Sequence, residues 1–170
     1  MTLDPAKLQL RRVKPGDAEA LAHFYNSRNP ESVRHFKPLG ERAPLDKLNE
    51  VIAANSSDVV AQFDLVALRD ADIVGWAFVW KLQTAQPKFR IVVGDQVQGQ
   101  KIGERLMATV MSTALDLGLE QMFLTVVADN ARAIRLYQKF GFQKTREFIS
   151  PEDGLPYYEM VWLLPIPNGR

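Results

Sequence analysis

The chain has 170 residues, enough for one domain, 1–170, with a buried core. Its 46% hydrophobic and 24% charged content is ordinary for a soluble globular protein, and a net charge of +1 supplies no long-range field for nucleic acid or an anionic membrane. It has no cysteine, and its two histidines are His23 and His35, which excludes a disulfide framework, a thiolate nucleophile, and cysteine- or histidine-rich metal sites.

The start, Met1-Thr2-Leu3-Asp4-Pro5, lacks the positive charge and apolar stretch of a signal peptide. No apolar run approaches the roughly 20 residues that span a bilayer, so a cytoplasmic protein is expected. A strand is predicted over Leu8 to Val13, and Asp17 is read as N-cap of a helix ending at Tyr25. Pro30 can open a short helix from Glu31 to His35, and Pro44 one from Leu45 to Ala54, stopped by Asn55-Ser56-Ser57-Asp58. Asp64 to Arg69 and Ile73 to Leu82 alternate as a hairpin around Asp70-Ala71-Asp72. Phe89 to Val93 is the next strand, and Gly94 with Asp95 suggests a bulge at its end.

A helix is predicted over Lys101 to Leu117, with Ile102, Leu106, Val110 and Ala114 at helical spacing and Gly118 as its stop. Met122 to Ala128 is a strand, Ala131 to Phe140 a helix stopped by Gly141, and Phe142 to Ile149 a strand. A turn at Ser150 to Gly154 leads to a strand over Tyr157 to Leu164, before Pro165 and Pro167. The sum is a mixed α/β fold, with about six or seven strands in one sheet and helices on both faces.

Two strand–turn–helix segments carry the chemistry. In the first, Phe89 to Val93 gives way to Gln98-Gly99-Gln100-Lys101-Ile102-Gly103, which opens the following helix. N–H groups at such a turn lack intrahelical partners and the helix dipole adds positive charge, which suits a phosphate or pyrophosphate. In the second, Leu124 to Ala128 leads through Asp129-Asn130 into a helix carrying Ala133, Leu136 and Tyr137, closed by Gly141-Phe142.

In that order and spacing, the two segments resemble the GCN5-related N-acetyltransferase (GNAT) superfamily. The resemblance implies a largely antiparallel GNAT-like sheet. It also implies acetyl-CoA as acyl donor, an amine acceptor and no metal. Neither nucleic acid nor membrane is an expected partner, and a homodimer stays open. Backbone groups of Ile91, Val92 and Val93 would follow the pantetheine arm. Gln98, Gly99, Gln100, Lys101, Ile102, Gly103 and Glu104 would meet the pyrophosphate, with Asn130 beside the cofactor. Tyr137 would donate to the departing CoA sulfur. Lys101 stands where the family has glycine, so either the backbone there avoids the glycine shape or the ammonium reinforces phosphate binding. Residues 26–63 match least; in the family that region shapes the acceptor pocket.

The proton acceptor is the gap. An alkyl ammonium of pKa about 10.4 is only about 0.1% neutral near pH 7.4, a deficit of about 4 kcal/mol. Some relatives place a Glu five residues before the Asn, where this chain has Thr125. Asp95, Asp129, Glu159 and His35 remain as candidates, acting directly or through a water. A small primary amine or amino sugar is the favoured acceptor, then a protein N-terminus or lysine. The alternative reading is an acyl-CoA-binding sensor or scaffold that has lost catalysis.

Overall fold

The computed structural model describes residues 7–56 and 60–165; the N-terminal residues 1–5, the helix stop expected at 57–58, and Pro167 lie outside this range. β1 (Leu8–Arg12) leads into α1 (Ala18–Asn26), α2 (Pro30–His35) and α3 (Leu45–Ala54). β2 (Gln62–Arg69), β3 (Asp72–Trp80) and β4 (Lys88–Val93) follow as an antiparallel meander. Then come α4 (Ile102–Asp116), β5 (Gln121–Val127), α5 (Ala131–Lys139), β6 (Gln143–Ile149) and β7 (Pro156–Leu163). Each expected helix and strand forms within two residues of its predicted ends. The sheet has seven strands in the order β1-β2-β3-β4-β5-β7-β6, and β4–β5 is its parallel pair.

The alternation of strand side chains divides the interior into two cores. On one face Phe63, Leu65, Ala67, Ala77, Val79 and Phe89 meet Leu106, Met107 and Val110 of α4 and Tyr137 of α5. On the other, Val66, Leu68, Trp76, Phe78 and Val92 meet Leu21, Phe24 and Tyr25 of α1 and Leu48 of α3. Burying each of these large side chains contributes about 1.5–3 kcal/mol. Because β2 and β3 are covered on both faces, their sequences read as apolar runs.

Two local expectations are corrected. Asp17 does not cap α1. It sits at ψ −9°, already helical, and its carboxylate takes two hydrogen bonds from Arg11 (2.7 and 2.9 Å) and one from the Lys14 N–H (2.9 Å). The expected bulge at Gly94 lies instead in the β2–β3 ladder, where Ala67 pairs with Gly75 and Leu68 with Ile73, leaving Val74 as the extra residue. The Gly94 N–H donates to the Val74 carbonyl at 2.8 Å, so the bulge and the end of β4 are built together.

An acid not singled out in the sequence also lies at the base of the fold. Asp64 is fully buried on β2 and accepts hydrogen bonds from Trp76 Nε1 (2.8 Å), Asn55 Nδ2 (2.7 Å) and Gln62 Nε2 (2.8 Å). Asn55 also accepts from the Asp64 N–H at 2.7 Å, tying the end of α3 to the sheet. Burial pushes the Asp64 carboxyl up to about 6 despite these donors.

Candidate active site

The site arises where the sheet comes apart. β4 and β5 pair at Lys88 and Phe123, and beyond that point a cleft of about 780 Å³ separates Ile91, Val92 and Val93 from Thr125 and Val126. This is the size of a small-ligand site. Gly94 donates to Val74, and the ladder pairs Val92 with Trp76 and Arg90 with Phe78. Alternation then turns the N–H groups of Ile91 and Val93 away from β3, toward the cleft.

The turn after β4 closes one end. Asp95–Val97 is a 3-10 turn, and Gln98, Gly99, Lys101, Ile102, Gly103 and Glu104 line the cleft wall. Gly99 takes φ +82° and Lys101 φ +61° with ψ +16°. Lys101 therefore adopts the left-handed shape that glycine favours, and the expectation that it avoids that shape is corrected. Among the described residues the Lys101 ammonium makes no ion pair. Two side-chain contacts brace the turn: Arg132 donates to Gln98 Oε1 at 2.6 Å, and Lys139 pairs with Glu104 at 3.0 Å. Both tie the turn to α5. Gln100 is outside the wall, and its Oε1 is buried without a hydrogen-bond partner.

Gly103 has a role the motif alone does not show. A Cβ there would lie 3.2 Å from Leu136 Cδ2 and 3.6 Å from Val93 Cγ2. The missing side chain lets the first turn of α4 sit close against α5, apart from any approach of ligand to its backbone.

α5 supplies the other wall. Asn130 caps it, its side-chain oxygen accepting from the Ala133 N–H at 3.3 Å, and both residues line the cleft. Tyr137 lines it too. Its ring packs edge-on against Phe89 and beside Phe142, with centroids 6.1 and 5.9 Å away. Burial pushes its phenol well above the ordinary range, opposed in part by the charge of Arg90. The hydroxyl therefore stays protonated and available as a donor.

α2 covers the opposite side. Asn29, Glu31, Ser32, His35 and Phe36 line the cleft, so part of the poorly legible region 26–63 does shape it. Asn29 caps α2 through the Ser32 N–H. Buried Arg28 stacks on Tyr25 (4.1 Å) and Phe36 (5.3 Å) and donates to the carbonyls of Tyr25, Ser32 and Phe36.

The four candidate bases separate by environment. Asp95 accepts from the Asn29 N–H (2.7 Å) and the Ser32 hydroxyl, so it anchors α2. Glu159 stands opposite Thr125 in the β5–β7 ladder, 3.5 Å from Arg146, and is not part of the cleft wall. Asp129 and His35 both line the cleft and meet at 3.0 Å. Arg34 adds a 2.8 Å bond to the same carboxylate, and hydrogen bonds from Arg34 and His35 hold the Asp129 carboxyl below its ordinary range. Arg34 Nη2 also lies 3.0 Å from His35 Nε2, so Arg34, His35 and Asp129 form one polar cluster, with His35 and Asp129 in the cleft wall. Their separation of 94 residues hid this pairing from the sequence.

A mixed sheet split between parallel strands, with an anion-ready turn at one end and a tyrosine in its wall, defines an acyl-CoA N-acyltransferase type of fold. The sequence profile of the acetyltransferase (GNAT) family matches residues 21–142, and the chain belongs to that family. A mycothiol acetyltransferase of Brachybacterium faecium is 41% identical over 135 residues, covering 71% of this chain and 39% of that protein; the chain spans about two fifths of this relative's length. The acetyltransferase of GNAT family from Streptococcus pneumoniae is 25% identical, with a TM-score of 0.78 over 93% of this chain and 99% of that one. The spermidine N-acetyltransferase of Vibrio cholerae, solved in complex with CoA and spermine, shares the fold at 20% identity, with a TM-score of 0.74 over 93% of this chain and 96% of that one.

Proposed function

We propose that the chain is an acyl-CoA-dependent N-acyltransferase, with acetyl-CoA as donor and a primary amine as acceptor. The observation that carries this reading is the free edge of β4, which opens into one cleft with the turn at 98–104 and Tyr137. Ile91 and Val93 offer N–H groups to an extended amide-bearing arm, and amides at the start of α4 face the pyrophosphate. The neutral amine attacks the thioester carbonyl, and the tetrahedral oxyanion is held by a β4 N–H. As the C–S bond breaks, Tyr137 donates a hydrogen bond to the departing sulfur. Full proton transfer from an ordinary phenol of pKa about 10 to a thiolate of about 8.5 is uphill by about 2 kcal/mol, and burial of Tyr137 widens that gap. Hydrogen-bond donation is therefore its role. The proton lost from the amine goes to the His35–Asp129 pair in the cleft wall, directly or through water. A small amine or amino sugar is the favoured acceptor, with a protein N-terminus or lysine next.

Tyr137→Phe keeps the ring and removes the donor. It is expected to lower kcat about 10- to 1,000-fold with little change in acetyl-CoA affinity. A variant with full kcat would take Tyr137 out of the mechanism. A thermal melt unmoved by millimolar acetyl-CoA would refute the cofactor assignment, since a hundredfold excess over Kd stabilises by about 2.7 kcal/mol. Tight acetyl-CoA binding without turnover on any amine, sugar or peptide would establish the sensor reading instead.

A further inference from the structure

Arg90 lies midway along β4, in the cleft wall, between the residues that define the split. Its cross-strand partner is Phe78, and it shares the α1–α2 face of the sheet with Val92, Phe78 and Trp76. The guanidinium lies 5.9 Å from the centroid of the Trp80 ring. Among the described residues it makes no ion pair and no hydrogen bond, so its five donors are uncommitted.

The other charges of the cleft are paired or sit on its exposed rim, Arg135 of α5 among the latter. Asp129 is held by Arg34 and His35, and Glu104 by Lys139. Glu31 is exposed on the first turn of α2, where the helix dipole already favours its charge. Lys101 is in the turn at 98–104, and Arg132 of α5 is bonded to Gln98 of that turn. Arg90 is three residues, about 10 Å along the strand, before the end of β4, and the 3-10 turn Asp95–Val97 lies between that end and Gln98. It is also next to Ile91, whose N–H faces the cleft. An uncommitted guanidinium on a rigid central strand beside the reaction centre calls for an anion that is not the pyrophosphate.

We infer that the acceptor is an amine that carries a carboxylate, and that Arg90 binds this carboxylate through its guanidinium fork. The inference rests on the transferase reading above. The planar fork matches a carboxylate at two points, which fixes both the position and the rotation of a small acceptor. A cationic polyamine would meet Arg90 as a like charge. The guanidinium also disfavours the protonated form of a nearby amine, and so helps to supply the neutral nucleophile.

The test uses matched amines: β-alanine against propylamine, γ-aminobutyrate against butylamine, and phenylalanine against phenylalaninamide and phenethylamine, with spermidine as the cationic probe. CoA release is followed for wild type, Arg90→Gln and Arg90→Lys. Wild type is expected to prefer the carboxylate member of at least one pair. Arg90→Gln should reduce that kcat/KM preference about 10- to 100-fold, mainly through KM. Arg90→Lys should recover part of it, because the charge returns without the fork. CoA affinity, measured separately, should match wild type.

Turnover of spermidine or the neutral amines with the carboxylates inert would overturn the inference and leave the transferase reading intact. So would a preference unchanged in Arg90→Gln, or a loss of CoA affinity there, which would assign the guanidinium to the cofactor. An absence of turnover on every amine would remove the transferase reading, and this inference with it.

Discussion

Lys101 joins backbone geometry to ligand charge, and two substitutions separate them. At φ +61° and ψ +16°, a residue with a Cβ carries about 2 kcal/mol of left-handed strain. Lys101→Ala removes the ammonium and keeps the strain, whereas Lys101→Gly removes both. The glycine variant should therefore be about 1 kcal/mol more stable than the alanine variant, after the extra freedom glycine gives the unfolded chain. For a chain of this size that difference is about 2–4 °C in Tm. Both variants should bind CoA about fivefold more weakly at low salt, equivalent to about 1 kcal/mol, and the loss should shrink at 0.5 M salt. Circular-dichroism melts and calorimetric CoA titrations at two salt concentrations read the two effects separately. An alanine variant as stable as the glycine variant would refute the strain argument. Unchanged affinity at low salt would leave the ammonium a solvated surface group.

Asp64 gives a pH signature. Its folded pKa of about 6 lies above the ordinary 3.8, so its contribution is fully present below pH 3.8 and is lost as pH rises through 6. That is about 2 kcal/mol between pH 4 and pH 7, and urea unfolding of Asp64→Asn should lack this slope; parallel profiles for the two proteins would contradict it. Gly103→Val should cost about 1–3 kcal/mol by driving a branched side chain into Leu136, and Leu136→Ala in the same chain should recover part of the loss. No recovery would show that the space between α4 and α5 is not what requires glycine. His35→Gln keeps a donor toward Asp129 but removes the imidazole, so kcat/KM should fall about 100-fold or more; an unchanged kcat/KM would exclude His35 from the proton route.

The sequence by itself determined whatever depends on neighbours along the chain. The periodicity of Ile102, Leu106, Val110 and Ala114, the apolar runs of β2 and β3, and the stops at Gly118 and Gly141 placed the elements within two residues. Asn130 as cap and the glycine-bearing turn at 98–103 before α4 were legible because caps and strand–turn–helix connections are local. Tertiary structure decided what depends on distant partners. Asp17 offered a valid cap signal, but Arg11 took its carboxylate. Gly94 offered a bulge signal, but the extra residue was placed at Val74, across the β3–β4 ladder from it. Lys101 accepted a glycine shape because the strand before it and the helix after it fix the direction of the chain through the turn. The meeting of His35 with Asp129, and the orphaned fork of Arg90 in the same cleft, follow from where β4 leaves β5 and where α2 covers the gap. A spacing rule reaches one or two turns of helix, whereas the contacts of Asp95 and His35 that complete this site join residues 63 to 94 positions apart, and only packing of the two sheet faces brings those together.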